Sequence, residues 1–213
     1  MKKKLLIFLM ILTMGLLSGC GMTEEEASEY VKASLDAAYK GEFDAFVEIT
    51  DSTLEGAEAM YEENIIHTME AAGFADMELS DELLEQYKQL FFDISKAVNY
   101  TVGGAEESEN GEYLVTVEIY PLEIFEDIDE EEITKAVIKR IEKMKKYPSD
   151  NKIIEITFEE MYEVLSEEIK NPVYSDEMVI QTVGVHKNDE GMYYISEEDM
   201  LNLDNALFAL ENK

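Results

Sequence analysis

Two histidines, His67 and His186, are the only imidazoles in the chain. A Ser-His-acid relay has to use one of them, yet no Gly-x-Ser-x-Gly elbow accompanies either. His67 falls within a helical pattern and His186 ends a strand beside a turn, so both are expected as solvated or structurally satisfied side chains. No His-x-x-x-His pair is present, and the acidic runs lack the Asp/Asn-Gly-Glu spacing of a calcium loop. Divalent cations held loosely on so acidic a surface stay open. A single Cys excludes a disulfide framework and a Cys-based zinc site. No catalytic residue, metal ligand or cofactor-binding residue is therefore expected, and no cofactor. Tyr100, Tyr120, Tyr193 and Tyr194 lie on strand-like segments, where aromatic side chains are expected in the core or at its rim.

Charge excludes more. The 213 residues hold 49 Asp and Glu against 17 Lys and Arg, a net charge of −32. Such a surface repels phosphate backbones, so no nucleic-acid partner is expected. The chain is 46% hydrophobic, and at this length roughly 70% of the unfolded surface can be buried, which argues against disorder throughout. Two charge clusters stand out. Acids crowd Glu126, Asp127, Asp129, Glu130, Glu131 and Glu132, either as a face for cationic partners or as a helix start complementing its dipole. Bases crowd Lys135, Lys139, Arg140, Lys143, Lys145 and Lys146. This second cluster offers contact with an anionic lipid or wall polymer, or simply complements a helix C-terminus.

The start of the chain carries an address. Lys2, Lys3 and Lys4 precede an apolar stretch from Leu5 to Leu17, and Leu17-Ser18-Gly19-Cys20 follows. This order is that of a secretory signal. Thirteen apolar residues make roughly 20 Å of helix, short of a hydrocarbon core of about 30 Å, so a permanent span is disfavoured. Leu17-Ser18-Gly19-Cys20 resembles a bacterial lipobox, with Leu17, Ser18 and Gly19 as signal-peptidase recognition. The resemblance implies cleavage before Cys20, a diacylglyceryl group on its sulfur, and a domain of residues 20–213 held on the outer side of the cell membrane by palmitate-type chains. Loss of Lys2, Lys3 and Lys4 takes the net charge to −35. Lys dominates the bases and Arg140 is the only Arg, a composition that suits a low-GC Gram-positive host.

The elements behind these residues read as follows. Thr23-Glu24-Glu25-Glu26 forms a capping box for a helix running to Gly41. A short helix over 42–49, a cap at Thr50-Asp51-Ser52 with a helix to Gly73, and a helix from Ser80 follow. Near residue 97 the period changes to two: strands over 97–103 and 113–120 flank a Gly- and acid-rich loop at 104–111, and Pro121 ends the second. Two helices are expected over about 122–172, the first with Ile133, Val137, Ile141 and Met144 as its stripe, the second opening at Thr157-Phe158-Glu159-Glu160. A second hairpin, 177–187 with 192–195, turns at Asn188-Asp189-Glu190-Gly191, and Ser196 caps a closing helix. The pattern predicts one α+β domain with helices on one face of an antiparallel sheet of about four strands, without the βαβ alternation of a transporter-type solute receptor.

Two stretches carry a resemblance. Residues 30–46, from Tyr30 through Gly41-Glu42 to Phe46, and residues 183–195, ending in Met192-Tyr193-Tyr194-Ile195, are similar to the first helix and last hairpin of small Gram-positive lipoproteins with a cystatin-like cone, of the nuclear transport factor 2-like superfamily. The family usually has Trp near Met192 or Tyr193, and here there is none. The resemblance implies fold and location and leaves activity unassigned. The expected role is a non-enzymatic binding or interaction module, tethered to the membrane through Cys20, with a protein or small-molecule partner. A pocket for a small apolar or cationic ligand is the alternative, and an enzyme of the same superfamily the third reading.

Overall fold

The computed structural model describes residues 21–125, 128–189 and 191–210, so the signal segment and Cys20 lie outside the described residues. It opens with α1 (Glu24–Leu35), where Thr23 and Glu26 close the expected capping box. The helix then widens into a π-helical turn, Asp36–Lys40, and stops at Gly41, whose φ of 68° suits a residue without Cβ. α2 (Asp44–Thr50), α3 (Leu54–Ala71), a 3₁₀ turn (Phe74–Asp76) and α4 (Asp81–Lys96) follow. The cap of α3 is Thr53, one residue beyond the expected Thr50-Asp51-Ser52: its side chain accepts from the Gly56 amide, while Asp51 turns left-handed to end α2.

The sheet is an antiparallel meander, β1 (Asn99–Glu107), β2 (Tyr113–Tyr120), β3 (Val179–Lys187) and β4 (Tyr193–Ile195), in sequence order. β1 continues through the stretch expected as a loop, because a register shift between Val102 and Ala105 accommodates Gly103-Gly104 and the strand then pairs with Leu114 and Tyr113. β2 keeps the expected alternation: Tyr113, Val115, Val117 and Ile119 are buried, and Leu114, Glu118 and Tyr120 face out. The core lies between this inner face, α1, and α7 (Glu197–Leu207), which Ser196 caps as expected.

Between β2 and β3 stand α5 (Glu130–Glu142) and α6 (Asp150–Glu168). α6 begins eight residues before the expected start. Ser149 is its cap, and Thr157 sits mid-helix with its hydroxyl donating to the Ile153 carbonyl, so the Thr157-Glu160 spacing is not a helix start. Ile133, Val137 and Ile156 form a small core of their own, and Tyr87, Phe74 and Phe158 rings join α6 to α4. Met144 is exposed rather than part of the stripe.

Candidate functional site

The most elaborate polar arrangement lies where α1 ends. Asp36 continues the apolar side of α1, between Leu35 and Ala37, and its side chain is only 7% exposed. A carboxylate there needs partners. Lys40 donates to Asp36 Oδ1 at 2.8 Å, Tyr100 of β1 donates to the same oxygen at 2.7 Å, and Lys32 donates to Oδ2. Burial alone raises the Asp36 carboxyl, but the hydrogen bonds from Lys32, Lys40 and Tyr100 outweigh it and hold the group below its ordinary value. Tyr100 is pushed up by burial and by its bond to Asp36. Next to it Tyr39, edge-on to Tyr100 at 6.4 Å, donates to Asp204 Oδ1 of α7 at 2.7 Å. The Tyr39 carbonyl, near the end of the helix, takes hydroxyls from Tyr61 of α3 and Ser95 of α4 at 3.0 and 2.8 Å. Three helices and one strand are thus tied to the π-helical turn.

Chemically this network is a clamp. A general base works best with a pKa near the operating pH, whereas Asp36 is held ionised and low, and Tyr39 and Tyr100 are held neutral. A cleft of about 460 Å³ opens beside it, bordered by Lys32, Glu42, Phe43, Asp44 and Leu54. No sequence pattern singled out Asp36, although Lys at four residues on either side, 32 and 40, within an apolar helix was the available signal.

The histidines are placed as expected. His67 is exposed on α3, facing Glu63 and Glu70. His186 lies near the end of β3, with Nδ1 3.0 Å from Glu112 Oε1 and Nε2 3.4 Å from Asp199 Oδ2. Ser196 donates to Asp199 and serves as the α7 cap, so among the described residues no hydroxyl is seen paired with an imidazole in the order a nucleophile needs. Among the described residues no group of three His, Cys, Asp or Glu is arranged to hold a metal ion, and no helix is long and apolar enough to cross a membrane.

The basic cluster divides. Arg140 turns onto α6, bonded to Glu159 and, at 2.9 Å, to Glu160, and Lys135 pairs with Glu131. Arg140 is thus already partnered by carboxylates, whereas Lys139, Lys143, Lys145 and Lys146 are exposed and make no ion pair among the described residues. Of the acidic run, Asp129 is the α5 cap and Glu130, Glu131 and Glu132 lie in its first turn, as dipole complementation requires; Glu126 and Asp127 lie outside the described residues.

Two further features were not singled out from sequence. The outer sheet face carries Leu114, Tyr120 and Ile180 at 41%, 42% and 59% exposure, with Thr116 opposite Thr182 and exposed Glu118 opposite Ile180 among them. Tyr30, Leu35, Tyr39, Ile94, Ile119 and Phe208, by contrast, are fully buried in the interior.

The fold and its surfaces define an α+β domain in which a bulged antiparallel meander packs its inner face on helices. No protein-family model matches the chain, and no curated protein matches it significantly. Among solved structures it is similar to the candidate lipoprotein ycdA from Bacillus subtilis, at a TM-score of 0.57 and 17% identity, with 85% of this chain and 55% of that chain covered. The chain thus spans about half the length of that neighbour, and the likeness is one of fold.

Proposed function

We propose that the chain is a lipid-anchored protein of the outer cell surface, held through Cys20 after removal of residues 1–19, that acts as a non-enzymatic interaction module. The observation that carries this reading is the exposure of Leu114, Tyr120 and Ile180 on the outer sheet face, away from the core of buried side chains between the sheet and its helices. Large apolar side chains left exposed on a sheet face, here interspersed with Thr116, Thr182 and Glu118, are of the kind a partner covers. The fold likeness to a candidate lipoprotein supports the anchored location. The cystatin-like cone belongs to the same reading, supported by the bulge in β1 and the packing of that strand on α1.

A photo-crosslinking residue placed at Ile180 on intact cells tests the proposal, with the same residue at exposed Glu55 of α3 as reference. A discrete adduct from position 180 and none from 55 is expected; identical patterns remove the sheet face as the contact. A stoichiometric small molecule retained in native mass spectrometry favours the pocket alternative instead. Cys20→Ala is expected to release the protein from membranes, and a variant still fully membrane-bound removes the anchor.

A further inference from the structure

We infer that the turn joining α5 to α6 is a second membrane contact, a basic and amphipathic tip that settles on a bilayer containing anionic lipid. The inference starts from Pro148. Its ring disfavours a helical Tyr147 and so keeps α5, which ends at Glu142, from running on into α6; residues 143–149 are left as a largely exposed connection. In that connection Lys143, Lys145 and Lys146 alternate with Met144 and Tyr147, and Lys139 stands one helical turn back. Tyr147 is 80% exposed, the highest value of any large apolar or aromatic side chain among the described residues, and Met144 is 40% exposed.

The charge pattern is unusual for this chain. Lys32, Lys40, Lys88, Lys135, Arg140, Lys152 and Lys170 are all held by carboxylates, as 49 acids would lead one to expect. The four lysines at the tip are not, among the described residues; Lys96 and Lys187 also make no ion pair, but they stand apart from other lysines, whereas the tip gathers four within eight residues. Glu142 and Asp150 adjoin the tip, but over 139–150 its four unpaired lysines outnumber these two acids; acids more than a Debye length away, about 8 Å in physiological salt, are screened, so the tip meets an anion as a local positive patch despite the net charge of −32.

Exposed Tyr and Met set between lysines favour a lipid surface over a soluble polyanion. The lysines pair with headgroups while the ring and thioether enter the interface, where Tyr is stably placed. The arm is a sturdy support, since Ile133, Val137 and Ile156 pack into their own small core. It leaves the sheet beyond Tyr120, whereas Met22, two residues after Cys20, is bonded at the other end of β2 through Tyr113 and Tyr193. A second contact would therefore fix how the domain lies on the membrane. It depends on the anchored reading for location alone.

The chain has no Trp, so Tyr147→Trp in the full chain supplies a single reporter. The variant is reconstituted into vesicles of phosphatidylcholine, with or without phosphatidylglycerol, and with bromine on the acyl chains. In the anionic vesicles the emission is expected to move to shorter wavelength and to be quenched by bromine; in neutral vesicles neither occurs. Lys143→Gln, Lys145→Gln and Lys146→Gln together, in the same background, are expected to weaken the contact about a hundredfold at low salt, roughly fivefold for each lysine, and to abolish both signals. Circular dichroism checks that the fold persists. Vesicle flotation reads the anchor separately, so its failure is distinguishable from failure of the tip. Unchanged emission, equal quenching in neutral vesicles, or signals that survive the triple substitution each overturn the inference. So does an emission shift produced by polyphosphate with no bromine quenching in vesicles.

Discussion

Tyr100→Phe is the sharpest probe of how the α1 end is held. The substitution deletes one hydroxyl and keeps the ring, which lies edge-on to Tyr39 and beneath the Lys40 ammonium at 4.1 Å. The lost bond, 2.7 Å to Asp36 Oδ1, has a charged acceptor, and such bonds contribute about 1.5–3 kcal/mol. Asp36 keeps Lys32 and Lys40, so the lower end applies, about 1.5 kcal/mol, or a fall in Tm of about 5 °C for a domain of this size. Asp36→Ala is the harsher change: it removes the acceptor and leaves a buried Tyr100 hydroxyl without it, for a loss of about 3 kcal/mol. Because the two changes cut the same bond, the double variant should fall short of their sum by about 1–2 kcal/mol.

The pH dependence follows from sign. Asp36 is held below its unfolded value, so its contribution is complete above the unfolded pKa of about 3.9 and is lost as pH falls through the lower folded value. Urea unfolding at several pH values should therefore show a gap between wild type and Asp36→Asn that is constant near neutrality and shrinks below about pH 4. A Tyr100→Phe variant as stable as wild type at neutral pH, or a gap that widens in acid, refutes the clamp.

Three further outcomes test local geometry. Gly41→Ala is expected to cost about 1–2 kcal/mol in thermal unfolding, because φ there is 68° and the new Cβ stands 3.0 Å from Tyr61 Cε1. Thr53→Ala should lower stability by about 1 kcal/mol through loss of the α3 cap, and Ser52→Ala by clearly less; equal losses contradict the placement of the cap. Gly184→Ala places a Cβ 2.7 Å from His186 Nε2, so the ring must swing away from Glu112 at a cost below about 1.5 kcal/mol, seen as a moved His186 resonance beside an unmoved His67.

Much of the fold was legible because its cues are local. The alternation of Tyr113, Val115, Val117 and Ile119 needs only a period of two, and Thr23 with Glu26 needs only four residues. The failures share a different cause. Thr157 and Glu160 have the spacing of a capping box, yet Ser149 had already started the helix and the Thr157 hydroxyl turned to the carbonyl four residues back. Gly103-Gly104 looks like a turn, yet β2 offers its partners on both sides of a bulge and the strand continues. In both places a local signal was outcompeted by a neighbour that its own window did not contain.

Asp36 and the basic cluster extend that point to the surfaces that matter for function. Within its helix Asp36 is one acid between two lysines; it becomes a clamp because Tyr100, 64 residues away, closes over it. Arg140 and Lys143 are equal members of one run in sequence, and only the packing of α6 against α5 separates them. Glu159 and Glu160 claim the guanidinium, and the lysines beyond Glu142 are left without a facing helix. A charge cluster read along the chain therefore states how much charge is present, while the tertiary fold decides which members are already spent. Of this run, the members unspent among the described residues are Lys139, Lys143, Lys145 and Lys146, gathered at one tip beside Tyr147.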